Sequence, residues 1–402
     1  MYPIKKLSEI TSLVTKWSTP TTYGYSFLSE WINFIKIENI SNGKINKSSL
    51  SAFISEEAHL SQKRSILEDW DFLISIAWTI GSIALVTKDI LPANTNQALA
   101  IIRGYQNFVN KDFLRYIFLS SLSNWFKNKA RGGALQNISL EDIKNIEIPL
   151  PPLSTQSRIV ARLDSAFASI DEQISLLRAN IVDVENIRKS VLEESFQSGE
   201  YEIKTLWEIC EFMGSGFACN KKNEVSNGYI HLRTHNIWTD WKLNFDHFVT
   251  INPDMIDMNK AKIFKWDIIF NNTNSKELVW KTAYVEQDYE YGFSNHLTRM
   301  VIKNSYYSKY VSIYINYLFG KWFFQNLANK WIWQAGVNNG MLKEIQIPLP
   351  PLPRQHEIVA HLDRVFAETT ALRGEYEAQI WDLETLKQSL LEEAFAGRLV
   401  TD

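Results

Sequence analysis

Three sets of residues in this chain have the types and spacing to do chemistry. The first is Cys210-x8-Cys219-x11-His231-x3-His235, which carries the donor types of a zinc site. The histidine spacing suits zinc, but the gap of eight between the cysteines does not, and extended strands are expected between the ligands. Ordinary core cysteines and surface histidines are the better reading, so no metal is expected. The second set is catalytic in outline only. "INPDM" (251–255) approaches the N-P-P-[FY] motif of base methylation but lacks its second Pro, and no Asp/Glu-x-Lys follows Asp254 at nuclease spacing. No G-x-x-x-x-G-K-[ST] loop is present, and "GSG" (214–216) reads as a turn, so no catalytic residue is assigned.

The third set is a supply of amides and cations in polar loops. In the first half these are Asn39, Asn42, Lys44 and Lys47 within 38–47, Arg64 within 62–64, and Lys129, Arg131, Gln136 and Asn137 within 127–137. In the second half they are Arg233 and Asn236 within 233–236, Asn271, Asn272, Asn274 and Lys276 within 271–277, and Gln334, Asn338 and Asn339 within 333–339. Arg, Lys, Asn and Gln can reach base edges, while Lys, Ser and backbone N–H groups hold phosphates. The loops recur at matched positions in both halves, which favours binding over loops that merely face water.

The elements that must carry these loops are written twice. "IEIPLPPLSTQSRIVARLD" (146–164) and "IQIPLPPLPRQHEIVAHLD" (345–363) are nearly identical, 199 residues apart in a chain of 402. "KKLSEI" (5–10) and "KTLWEI" (204–209) keep that offset, and "DWDFLIS" (69–75) resembles "KWDIIFN" (265–271). Four blocks follow: a variable domain (1–145), a Pro-rich turn with a long helix (146–200), a second variable domain (201–344), and a second turn and helix (345–402). The variable blocks read as mixed α/β, with β-rich runs broken by polar turns and one closing helical segment each, over 111–130 and 308–330. "PLPPL" stops any helix before it, Ser154 suits an N-cap, and Pro353 suits a first turn.

Beyond Ser154, Val160, Leu163, Phe167, Ile170, Ile174, Leu177, Ile181 and Val184 step alternately by three and four, a heptad seam that continues through Ile187 and Val191 after an irregular step of three. The second copy keeps Val359, Leu362, Phe366, Tyr376, Ile380, Leu383, Leu386 and Leu390 but places Thr369 and Arg373 in mid-seam. Each seam is the natural partner of the other. The expected architecture is α+β: two mixed α/β domains joined by two long helices in an antiparallel coiled coil, a pseudo-twofold internal repeat.

Net charge alternates along the blocks, +4, −4, +2 and −5, so the helices would repel phosphate while the variable domains permit it. The start "MYPIKKLSEI" has no apolar signal region, the longest uncharged run (72–87) is too short for a bilayer, and two cysteines give no disulfide framework. A cytoplasmic chain without a membrane partner is expected.

The paired "IPLPPL…Q…IV..LD" phrases, with "LEESF" (192–196) and "LEEAF" (391–395) each followed by glycine, resemble the DNA-specificity subunit of Type I restriction–modification systems. The resemblance covers essentially the whole chain in the family's domain order. It implies that each variable domain reads one half of a split double-stranded DNA sequence. It also implies that the helices, through residues such as Leu163, Phe167, Leu177, Leu362, Phe366 and Leu383, dock two methyltransferase subunits, which recruit restriction subunits. S-adenosylmethionine, ATP and magnesium would belong to those partners and not to this chain. Two other classes remain: the recognition part of a self-contained methylase–nuclease, and a coiled-coil adaptor that binds only protein.

One departure stands out. Tryptophan occurs 14 times against 16 glycines, and Trp70, Trp78, Trp241, Trp266, Trp280, Trp331 and Trp333 sit where turn chemistry favours glycine. Either these rings form a stacking surface, or the gene comes from a lineage that reads UGA as glycine. The second reading is preferred.

Overall fold

A computed structural model describes residues 2–41, 43–77, 80–130, 138–197, 199, 201–238, 241–257, 260, 262–274, 281–320, 329–330 and 335–399. The chain forms two compact units, Met1–Leu177 with Ala378–Asp402, and Arg178–Glu377. Each unit thus holds one mixed α/β domain and a stretch of both long helices.

In the first unit the β-rich runs form a sheet in the order Thr11–Thr15, Leu99–Tyr105, Phe72–Ser75, Ile83–Leu85, Gly43–Ile45, Ile40–Ser41. Phe72–Ser75 is buried along its whole length because both faces of the sheet are covered. Phe72 and Ile74 pack with Phe113, Ile117 and Phe118 of the helix Lys111–Ala130, while Leu73 packs on the other side with Ile35, Leu67 and Val86. A smaller sheet pairs Ile32–Ile35 antiparallel with Phe53–Ile54 and parallel with Ala93–Thr95.

The second unit repeats this plan. Its main sheet runs Cys210–Ser215, Leu297–Ile302, Ile268–Asn271, Thr282–Tyr284, the same order as the first four strands above. In its small sheet Glu224–Leu232 again pairs antiparallel with one strand, Val249–Ile251, and parallel with another, Gly292–Phe293. Of the covering helix expected over 308–330, Ser308–Gly320 is helical and 321–328 lie outside the described residues. Asn329–Lys330 is strand instead, because it pairs with Ala335–Gly336.

The repeated phrases of the sequence are physically joined. Ile4–Lys6 pairs with Glu147–Pro149, and Glu202–Thr205 with Gln346–Leu349. Leu7 N donates to Ile146 O at 2.9 Å and Leu206 N to Ile345 O at 2.7 Å. At the Pro-rich turn the buried Gln156 amide donates to Pro151 O at 2.8 Å, and Gln355 to Pro350 O at 2.7 Å. This bond explains the glutamine of each copy: it occupies the carbonyl of a turn whose prolines cannot donate. Ser154, expected as an N-cap, lies inside the first helical turn because the helix already begins at Leu153.

The helices span Leu153–Gln197 and Leu352–Phe395, 45 and 44 residues, each about 67 Å long. They pair antiparallel within each unit. In the first, Leu163 packs in one core with Leu391 and Ala394, and Lys387 lies 5.2 Å from the Phe167 ring while bonding Asp171. In the second, Arg188 lies 5.0 Å from the Phe366 ring and donates to Thr369 Oγ1 at 2.8 Å. Arg188 and Lys387 are repeat equivalents, as are Phe167 and Phe366, so one contact is made twice.

That contact also corrects the seam. Val160, Leu163, Ile170, Ile174 and Val184 are buried as expected, but Ile187 and Leu386 are 50% and 46% exposed. The irregular step of three after Val184 rotates them outward and turns their basic neighbours in. Thr369, polar in mid-seam, is buried because it accepts the Arg188 guanidinium, and Arg373 reaches Glu185 at 3.2 Å.

Each main sheet carries a buried ion pair. Asp71 accepts from Arg103 Nε and Nη2, both at 2.6 Å, and Asp267 from Arg299 Nε at 2.6 Å and Nη2 at 3.3 Å. Burial pushes both carboxyls above their ordinary range, while the arginines pull the other way. The arginines come from different registers: Arg299 faces Ile269 across the ladder, whereas Arg103 follows Ile102, which faces Phe72. Removing the arginine leaves the Asp267 carboxylate buried and unpaired, so Arg299→Met is expected to cost about 3–5 kcal/mol. Urea denaturation of the variant checks this, and Arg299→Met with Asp267→Leu together should recover most of the loss.

Candidate nucleic-acid interface

In the second unit the structure brings two of the amide-rich loops together. Thr273–Asn274 pairs with Ala335–Gly336, which pairs in turn with Asn329–Lys330, a small ribbon at the end of the strand Ile268–Asn271. Asn272 anchors it. Its Nδ2 donates to Thr298 Oγ1 at 3.0 Å and Asn295 O at 3.2 Å, its N–H donates to His296 O, and its carbonyl accepts from Val337 N, both at 3.0 Å. Thr298 Oγ1 donates on to Asn339 Oδ1 at 3.2 Å. Asn338 caps the short helix Asn339–Lys343 by accepting from Met341 N at 2.9 Å.

These bonds sort the sequence candidates. Asn271 and Asn272 are buried, as are Asn39 and Asn236, so their amides build the loops and do not reach outward. Asn39 and Asn236 do one job in the two repeats. Asn39 Oδ1 accepts from Lys36 N and its Nδ2 donates to Ser49 O, both at 2.8 Å. Asn236 Oδ1 accepts from Arg233 N at 2.8 Å, and its Nδ2 donates to Asn244 O and His247 O. Arg233 is half-buried and donates to Cys219 O at 3.2 Å.

The groups presented to solvent are fewer. Lys44 is exposed on the strand Gly43–Ile45, and Arg64 is exposed with its guanidinium 5.1 Å from the Trp17 ring. Lys47 is exposed but pairs with Asp89 at 2.6 Å. Beside this edge lies a cleft of about 500 Å³ lined by Lys36, Ile37, Glu38, Ile40, Ser82 and Asn96. Asn42, Arg131, Gln136, Asn137, Lys276 and Gln334 lie outside the described residues, as do the side chains of Lys129 and Asn274. Sequence reasoning missed Asp71, Asp267 and their arginines, although the repeated Trp-Asp dipeptide, with Arg 32 residues later each time, was a usable signal.

The expected surface histidine at 231 is corrected. His231 is fully buried, its Nε2 is 3.1 Å from Phe217 O, and its ring packs on Phe217. Cys210 is buried and free, its thiol pushed up to about 12 by burial. Among the described residues no cluster of His, Cys, Asp or Glu could hold a metal ion, and no helix is long and apolar enough to cross a membrane.

On the helices, Leu163 and Leu362 are fully buried in their own domain cores, and Phe167 and Phe366 lie under Lys387 and Arg188. Leu177 and Leu383 line an open apolar groove of about 410 Å³ with Gln173, Leu176, Gln379 and Asp382.

Two copies of one α/β domain, each fixed to a stretch of paired helices, with polar loops at the strand ends, define an internally repeated two-domain protein. Residues 6–177 and 198–381 each match the Type I restriction modification DNA specificity domain, and the chain belongs to that family. It is 22% identical to the Type I restriction enzyme EcoKI specificity subunit of Escherichia coli strain K12 across 98% of this chain and 89% of that one. With the EcoBI specificity subunit of Escherichia coli it shares 30% identity over 45% of this chain, which is 37% of that subunit. A solved chain from work on complex assembly and conformational transition of the type I R-M system shares the fold, with a TM-score of 0.75, 20% identity, and 99% and 98% of the two chains covered. The HsdS subunit from Thermoanaerobacter tengcongensis aligns at a TM-score of 0.52 with 20% identity over 99% and 97%.

His231 supplies a pH test of the second unit. Burial, then Arg233, lowers its pKa from 6.5 to about 4, so the folded state holds it neutral while the unfolded chain protonates near 6.5. Its contribution is present above pH 6.5 and lost as pH falls toward 4. Denaturation midpoints should decline over that window, and His231→Leu should flatten the decline.

Proposed function

We propose that this chain recognises a bipartite double-stranded DNA target and scaffolds the subunits that modify and restrict it. Each α/β domain reads one half of the target, and the chain itself performs no chemistry. The observation that carries this reading is the separate match of each half to the DNA specificity domain, on a fold whose two halves share strand order and helix contacts. Lys44, Arg64, Asn42, Lys129, Arg131, Gln136 and Asn137 supply contacts from the first domain. Asn274, Lys276, Gln334 and Asn339 supply them from the second domain, with Asn271 and Asn272 shaping the loop at the end of Ile268–Asn271 and Asn338 capping the helix Asn339–Lys343. Lys47 and Arg233 contribute charge beside the loops that Asn39 and Asn236 build.

The helices are the protein-binding part. Leu176, Val182, Ile187, Trp381 and Leu386 are 46–66% exposed, an apolar supply that suits methyltransferase subunits better than water. Net charges of −4 and −5 on the two helical blocks disfavour phosphate. Two methyltransferase subunits and, through them, restriction subunits are the partners. S-adenosylmethionine, ATP and magnesium sit on those partners, and the complex works in the cytoplasm.

The test exchanges residues 1–145 for the first domain of another family member and maps methylated sites in the reconstituted complex. One half of the target should change and the other should persist. Change in both halves, or in neither, contradicts independent reading. In parallel, duplex binding by the purified chain should weaken steeply with salt, and Lys44→Ala should lower affinity for all sequences and reduce the salt slope by about one. Leu177→Glu and Leu383→Glu should impair assembly with methyltransferase while leaving DNA affinity intact.

A further inference from the structure

Among the described residues, five that are not glycine have positive φ, and four of them are tryptophan: Trp31 (117°), Trp70 (71°), Trp241 (70°) and Trp266 (75°). The fifth, Asn227 at 62°, is of a type that tolerates this region. An indole-bearing Cβ is not: the left-handed region drives Cβ against the following carbonyl, a clash that glycine lacks. Composition points the same way, with 16 glycines in 402 residues where about 7% is usual.

Two of these residues occupy the same turn in the two repeats. Asp71 N donates to Glu68 O at 3.1 Å, and Asp267 N to Phe264 O at 3.0 Å, placing Trp70 and Trp266 third in a four-residue turn. A turn with positive φ only at its third residue is type II, which takes glycine there. The backbone cannot relax elsewhere cheaply, because Trp70 N donates to Val86 O at 2.9 Å and Trp266 N to Val285 O at 2.7 Å.

The other two face glycine across the repeat. Asn46 N donates to Asn39 O, and Asn244 N to Asn236 O, both at 2.8 Å; three residues before each stand Gly43, with φ 75°, and Trp241. Lys36 N and Arg233 N each donate to an asparagine three residues on, and five residues before them stand Trp31 and Gly228. A Cβ on Gly228 would lie 2.2 Å from Ile251 O. The exchange recurs at Trp17, which stands in register with Gly216, where a Cβ would meet Phe293 O at 1.9 Å. Position 280, outside the described residues, is in sequence register with Gly81, whose φ is 90°. Trp207 and Trp381 do not belong to this set: they stand in sequence register with Ser8 and Val182, and Trp381 lies within a long helix.

We infer that the natural host makes this protein with glycine at positions 31, 70, 241 and 266. The codons there are UGA, read as glycine by the host and as tryptophan under a different code. The ring contacts of Trp70 with Lys111 and of Trp241 with Phe366 are then absent from the natural protein, and the idea of a stacking surface built from these residues falls away. This inference does not rest on the DNA-reading function.

The gene's codons and the mass of the protein purified from its own host decide the matter. TGA codons and glycine-mass residues in the peptides covering the four positions are expected. TGG codons, or tryptophan-mass residues, overturn the inference. Stability gives a second readout on recombinant chains that differ only by Trp31→Gly, Trp70→Gly, Trp241→Gly and Trp266→Gly. The glycine chain should melt about 5–15 °C higher, with two strained sites relieved in each unit. A lower midpoint, from loss of the ring contacts, would show that the tryptophans are native.

Discussion

A helix that must pair antiparallel with a copy of itself has to offer and accept the same contact. That constraint organises this protein. The phenylalanine of each copy, Phe167 or Phe366, receives the basic side chain of the other, Lys387 or Arg188. The cation lies over an aromatic face at about 5 Å and is held by a second polar partner, Asp171 or Thr369. Once the helices are set, the rest of each domain follows by short steps. The Pro-rich turn is closed by Gln156 or Gln355, a two-stranded ladder ties the turn to the start of the domain, and the core residues Leu163 and Leu362 seat the helix against it.

The constant frame was legible because packing and backbone bonding tolerate little change. The offset of 199 residues links Leu7 to Leu206, Ile146 to Ile345 and Gln156 to Gln355, and each pair makes the same hydrogen bond. The heptad seam was legible up to Val184. Its change of phase was not, because burying Arg188 and Lys387 depends on a ring supplied by the other helix, which the local pattern does not contain.

The candidate interface was legible only as polar loops. Amide side chains serve two ends: they can meet a base edge, or they can satisfy the backbone of a turn. Composition does not separate these, and Asn39, Asn236, Asn271 and Asn272 prove to be buried. What the sequence could not display is the pairing of Thr273–Asn274 with Ala335–Gly336, which gathers loops more than sixty residues apart into one ribbon. The tryptophans are the opposite case. At Trp70, Trp241 and Trp266 the residue type conflicts with the backbone, and the turn chemistry of the sequence already displayed that conflict; Trp31 carried no such signal, and positions 78, 280, 331 and 333 lie outside the described residues.

The central claim is that one chain carries two independent readers on a shared pair of helices. The most direct measurement is a genome-wide map of modified bases in the natural host, with and without this gene. The account expects one split motif, two short defined sequences separated by a fixed number of unspecified bases, whose modification disappears when the gene is removed. A single uninterrupted motif, or a methylation pattern that survives the deletion, would contradict it.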